Sequence, residues 1–121
     1  TIVAPPDGSM ADFMASIDKL IARDGQDKIF FPGHGGPVSD PPAFLRGLRT
    51  HRRMRERAIF ERVKAGDADI GQMVKAIYAR TDPRLHPAAA LSVLAHVEDL
   101  IVRGEVEGSG PPSLAGHYRI R

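Results

Sequence analysis

A chain of 121 residues, 42% hydrophobic and 26% charged, has the composition of a globular protein and the length of one domain, or of one domain and part of another. It contains no cysteine, which excludes a disulfide framework and a thiolate zinc site and fits a reducing, cytoplasmic setting. No apolar run is expected to reach the roughly 18 residues of a membrane span, no signal-peptide pattern opens the chain, and a net charge of +2 does not by itself imply a nucleic-acid partner.

The chain opens on Thr1-Ile2-Val3-Ala4-Pro5-Pro6, read as a strand tail and a loop, so it is expected to begin inside a larger protein. Asp7-Gly8 marks a turn, and Ser9 with Asp12 three residues on reads as a helix start. Met10, Phe13, Met14, Ile17, Leu20 and Ile21 recur at helical spacing, which predicts an amphipathic helix from Met10 to about Arg23. Asp24-Gly25 stops it. Lys28-Ile29-Phe30-Phe31 reads as a short buried strand, and helix followed by buried strand is one αβ unit of a layered sheet. Pro32-Gly33-His34-Gly35-Gly36-Pro37 is too rich in Gly and Pro for regular structure.

Pro41-Pro42 then opens a long helix in which Phe44, Leu45, Leu48, Met54, Ala58, Ile59 and Val63 keep helical phase until Gly66. Asp69 can cap the next helix, whose stripe is Ile70, Met73, Val74, Ile77 and Tyr78. Thr81-Asp82-Pro83 breaks it. A third helix begins near Pro87, carries Leu91, Leu94, Val97, Leu100 and Ile101, and ends at Gly104. Val106, a Gly-Ser-Gly-Pro-Pro loop and His117-Tyr118-Arg119-Ile120 predict a two-stranded hairpin. Three helices and a hairpin is the order of a winged helix.

Charge is unevenly placed. Residues 1–45 hold three basic and six acidic groups, residues 46–64 hold eight and two, and residues 65–107 hold four and seven. One basic helix therefore lies between two acidic regions. Its long side chains can cross an acidic interface or stay solvated, or they can bind phosphate.

His34 is the residue with the most specific setting. It follows directly on a predicted buried strand, and a strand end places a side chain on a rigid element. The flanking glycines let the backbone take unusual conformations and let neighbours approach closely. Imidazole is the commonest neutral metal ligand. Taken alone, a His in a Gly-rich loop is more often a turn residue than a ligand.

The run Phe31-Pro32-Gly33-His34-Gly35-Gly36-Pro37-Val38 resembles the P-G-H-G loop of the metallo-β-lactamase-fold hydrolases, most closely the subgroup of glyoxalase II relatives and the β-lactamase-like endoribonuclease. The similarity extends upstream through Ala4-Pro5-Pro6-Asp7-Gly8-Ser9-Met10. Downstream it takes in Phe44-Leu45, Leu48, His51-Arg52, Arg55-Glu56, Ile59, Ile77-Tyr78, Ala88-Ala89 and Val93-Leu94-Ala95-His96-Val97-Glu98-Asp99-Leu100. That downstream series is similar to the winged-helix domain often attached to these enzymes. The resemblance implies a mainly α chain with a little β: residues 1–40 a remnant of the metallo-β-lactamase domain, residues 41–121 a winged helix.

It further implies that His34 is a metal ligand, the last in chain order, in a two-metal zinc site that hydrolyses small-molecule esters, thioesters or phosphodiesters. The family's main metal motif, H-x-H-x-D-H, does not occur here, and His51, His86, His96 and His117 match none of its positions. A catalytic metal needs several protein ligands and an open position for water. The resemblance therefore implies that the N-terminal part of the same hydrolase is the necessary partner. This chain alone would be catalytically silent, with no catalytic residue and no bound zinc of its own.

Other candidates carry less. His51-Arg52-Arg53-Met54-Arg55-Glu56-Arg57 could hold phosphate, but Arg52–Glu56 and Arg57–Glu61 can pair at i, i+4. His96 reads as a core or interface His, and Asp7 as a turn residue. The would-be DNA-reading helix carries Glu98 and Asp99 and few cations, where readers need Arg, Lys, Asn or Gln. The alternative to the hydrolase reading is a winged-helix module that binds nucleic acid or serves structure and oligomerisation. Residues 1–38, whose strand and apolar helix would otherwise lack partners, are expected either to dock on the chain's own winged helix or, the favoured outcome, to pair two copies as a homodimer.

Overall fold

The computed structural model describes residues 9–22, 41–66 and 68–121. The strand expected over 28–31 and the loop carrying His34 lie outside these residues. Five of the expected elements fall where the pattern places them. Helix α1 spans Met10–Ala22, α2 Pro41–Lys64, α3 Ile70–Ile77 and α4 His86–Val102, with a 3-10 turn at Pro83–Leu85. Strands β1, Val106–Gly108, and β2, Tyr118–Ile120, pair antiparallel with Val106 opposite Ile120. The fold is mainly α with a small β wing.

Local chemistry sets the boundaries. The Asp12 amide donates to Ser9 Oγ at 3.3 Å at the start of α1. A reciprocal capping box starts α3: the Gln72 amide donates to Asp69 Oδ1 at 2.8 Å, and Gln72 Oε1 accepts from the Asp69 amide at 3.4 Å, and from the Ala68 amide as well at 2.8 Å. Gly66 and Gly104, at φ +106° and +76°, end α2 and α4 in the left-handed region that side chains avoid. Asp82 caps the 3-10 turn by accepting from the Arg84 amide at 2.9 Å. The stretch before α3 also joins the wing: the Tyr118 amide donates to the Ala68 carbonyl at 2.7 Å, and Asp69 bridges to His117.

The main core gathers Ile59 and Val63 of α2, Ile70, Met73 and Val74 of α3, Val93, Val97 and Leu100 of α4, and Val106 and Tyr118 of the wing. A second, smaller cluster joins Met10 of α1 to Ala95 of α4, with Phe13 and Met14 against it. Two sequence expectations are corrected. Met54, counted in the α2 stripe, is 67% exposed. It lies five residues from buried Ile59, about 140° around a helix of 3.6 residues per turn. And Pro83–Val102 does reach the length and mean hydropathy of a membrane span. Here that apolarity serves the core, because Val93, Val97 and Leu100 are buried against α2, α3 and the wing.

The wing is pinned by a single phenol. Tyr118 Oη donates to the Ser113 carbonyl at 2.7 Å and accepts from the Ser113 amide at 2.9 Å. A Cβ on Gly116 would sit 2.5 Å from that oxygen and 2.9 Å from Tyr118 Cζ, whereas a Cβ on Gly110 would meet nothing within 4 Å. Gly116→Ala is therefore expected to lower unfolding free energy by about 1–3 kcal/mol through overpacking, and Gly110→Ala to stay within about 0.5 kcal/mol of the parent. Urea titration of the two variants decides this; equal midpoints would remove the Tyr118 anchor from the account.

Candidate functional site

His34 lies outside the described residues, and among the described residues no group of three or more His, Asp or Glu side chains could hold a metal ion. The described structure instead shows how the two helices that flank the His34 loop in sequence are held. Helix α1 precedes residues 23–40 and α2 follows them.

These helices meet α4 at a polar junction that the sequence did not single out. Arg52 of α2 is 7% exposed. Its guanidinium lies 5.2 Å from the centroid of the Phe13 ring on α1 and donates to Ser92 Oγ on α4 at 3.4 Å. Arg49 adds an ion pair to Asp18 of α1 at 3.4 Å. Beside Arg52, His96 of α4 is 2% exposed, and its Nε2 has no hydrogen-bond partner among the described residues. Burial first, then the charges of Arg52 and Arg55 and the His51 ring, push the His96 imidazole down to about 4. It is therefore neutral at pH 7. Burial also lowers the Arg52 guanidinium, and an arginine keeps its charge in a folded protein. A cleft of about 350 Å³ opens between α1, α2 and α4 beside these groups, with Met14, Asp18, Arg53 and Glu56 on its walls.

The signal for Arg52 was present in the sequence. Leu45, Arg52 and Ile59 are seven residues apart, two helical turns, so Arg52 lies in line with two buried aliphatic residues. The other cations of α2 divide. Arg55 stacks on the Tyr78 ring at the C-terminal cap of α3 at 4.4 Å, and Arg57 pairs with Glu61 at 3.6 Å as its spacing suggests. Arg46 and Arg53 stay exposed. Glu56 is engaged by Arg103, just past the end of α4, which also reaches Asp99 at 3.3 Å and Glu105 at 3.6 Å.

Helix α4 occupies the place of the DNA-reading helix, and its middle is buried. Ser92, Val93, Leu94, Ala95, His96 and Val97 are all buried, so the helix has no free face over that stretch. A groove reader must present side chains to base edges. Here α1 and α2 cover the surface from which it would do so. His86, at the start of α4, donates from Nε2 to the Tyr78 carbonyl at 3.0 Å, a structural bond. His51 and His117 are exposed.

Comparison with known proteins agrees with the resemblance drawn from the sequence. Residues 70–110 match the family described as the beta-lactamase associated winged helix domain. The chain is 31% identical over 101 residues to the beta-lactamase-like protein 2 homolog of Drosophila melanogaster, covering 81% of this chain and 34% of that protein. Among solved structures it is similar to a metallo-beta-lactamase family protein from Thermus thermophilus, at 25% identity and a TM-score of 0.71. It is also similar in fold to a beta-lactamase domain protein from Burkholderia ambifaria, at 19% identity and a TM-score of 0.76. Each structural match covers 93% of this chain and 33% of the other. The chain thus spans about a third of the length of the relatives it matches.

The junction has a measurable acid signature. An unfolded chain binds a proton on His96 near pH 6.5, whereas the folded protein refuses it until about pH 4. Its contribution to stability is therefore complete above pH 6.5 and is lost as pH falls toward 4. At 1.36 kcal/mol per pKa unit the loss is on the order of 3 kcal/mol. Replacement of His96 by Leu is expected to flatten this limb of the stability-versus-pH curve relative to the parent. Two curves of the same slope between pH 6.5 and 4 would show that His96 is not the group responsible.

Proposed function

We propose that this chain, a winged-helix-bearing member of the metallo-beta-lactamase superfamily, is the C-terminal part of a metal-dependent hydrolase and presents one zinc ligand, His34. The site is completed by the N-terminal part of the same protein. Its substrates are small-molecule esters or thioesters, or a phosphodiester, and its setting is cytoplasmic. One observation supports this reading above the others. The helices on either side of the His34 loop in sequence are packed on each other and on α4 through Met10, Arg49 and Arg52. The chain thus enters and leaves residues 23–40 on anchored helices, and anchored supports favour a metal ligand between them.

The residues described do not by themselves fit a catalytic metal, and no reaction step is assigned to this chain. Zinc hydrolases use three protein ligands and an open fourth position, and the sequence holds no H-x-H-x-D-H segment. Bound in the whole protein, the metal would polarise the substrate and activate water. The part played by this chain is to hold one imidazole and to carry the winged helix. The buried α4 favours a structural role for that winged helix over a nucleic-acid-reading one.

Metal affinity tests the proposal directly. A four-ligand zinc site yields roughly 10–16 kcal/mol. One imidazole then supplies about a quarter of that, about 3–4 kcal/mol, or a dissociation constant of about a millimolar. Calorimetric titration of the chain with zinc is expected to show only such weak binding. Stoichiometric submicromolar binding that His34→Ala abolishes would mean that the chain carries a complete site, and the proposal would fail.

A further inference from the structure

A second cleft, of about 600 Å³, lies between the start of α1, the side of α4 and the wing. Its walls are apolar: Leu91, Leu94, Val102 and Leu114. Val102 is 83% exposed and Leu114 48%. Glu98 lines the cleft, has no ion-pair partner among the described residues, and is shifted upward by its partial burial. Asp99 beside it is shifted the same way, by burial and by Glu105. An apolar trough with an unpaired carboxylate at its edge suits a helix face that mixes apolar side chains with cations.

The chain carries such a face on α2. Arg46, Arg53 and Arg57 follow one another at helical spacing and are exposed, with Met54, 67% exposed, beside Arg53. Among the described residues no ion pair engages Arg46 or Arg53. The α2 helix does not line the cleft, so a chain cannot fill its own trough with this face. The charge balance matches at the level of segments too: residues 46–64 hold eight basic and two acidic groups, and residues 65–107 four and seven. Phosphate-bearing partners, whether nucleic acid or membrane, would be repelled by Glu98 and Asp99.

We infer that the cleft between α1, α4 and the wing receives the exposed basic face of α2 from a second copy of this chain, Met54 entering the trough and Arg53 meeting Glu98. If each copy both gives its α2 and receives the other's, a two-fold axis closes the assembly at two chains.

The test is a charge swap read by sedimentation. The wild-type chain is expected to be dimeric at high micromolar concentration and to dissociate as salt rises. Glu98→Arg and Arg53→Glu should each weaken the dimer about tenfold or more, because each sets like charges face to face. Both positions are outside the core, and unchanged far-UV circular dichroism checks that the fold is intact. An equimolar mixture of the two variants should recover the wild-type dissociation constant, since both of its contacts then pair opposite charges. A monomeric wild-type chain would overturn the inference. So would a dimer that neither substitution weakens, or variants whose mixture fails to recover. A full-length protein that stays monomeric at the same concentration would assign the cleft to the protein's own remaining part, and would overturn it as well.

Discussion

Helix α4 is buried over six successive residues, Ser92 to Val97, which is more than a full turn of helix. A helix with that pattern needs cover on every side. One side is met by α2, α3 and the wing, through Val93, Val97 and Leu100. The other is met by α1, where Ala95 is small enough to let Met10 close on it. The same burial that holds the domain together closes the middle of α4 to contact from outside.

Burying Arg52 at the seam is costly unless its charge is compensated. A guanidinium suits the place better than an ammonium, because it is planar, weakly hydrated and able to lie over a ring while donating at its edge. Phe13 and Ser92 supply the ring and the acceptor. The neighbouring imidazole of His96 is then kept neutral by burial and by positive neighbours. Lining the cleft beside these groups, Arg103 gathers Glu56, Asp99 and Glu105, joining α2, α4 and the turn into β1. The eight cations of the basic segment are therefore not one surface with one purpose. Arg49, Arg52 and Arg55 hold helices together, and Arg46 and Arg53 face outward.

The relation to the superfamily rests on both levels. The P-G-H-G run and the apolar spacing of the three downstream helices carried the resemblance, and the winged-helix match over residues 70–110 with the structural neighbours agrees with it. The candidate ligand is a different matter. His34 was legible as a residue type in a telling run of sequence, while a metal site is a meeting of several side chains, and the H-x-H-x-D-H segment does not occur in these 121 residues.

Element order, helix limits and the capping of α3 by Asp69 were readable because they rest on local chemistry. Gly66 and Gly104 end helices by backbone conformation alone, and the stripe of Ile70, Met73 and Val74 reports its own buried face. The exposure of Met54 and the burial of Arg52 were misjudged by residue type, although the seven-residue spacing of Leu45, Arg52 and Ile59 contained the correction. Sequence by itself determined four amphipathic helices and a wing, since periodicity needs only neighbours along the chain. Tertiary structure alone decided that α1 lies over α4, that Arg52 meets Phe13 and Ser92, and that α4 is closed from Ser92 to Val97. A helical stripe shows which side is apolar, but not which distant element will cover it.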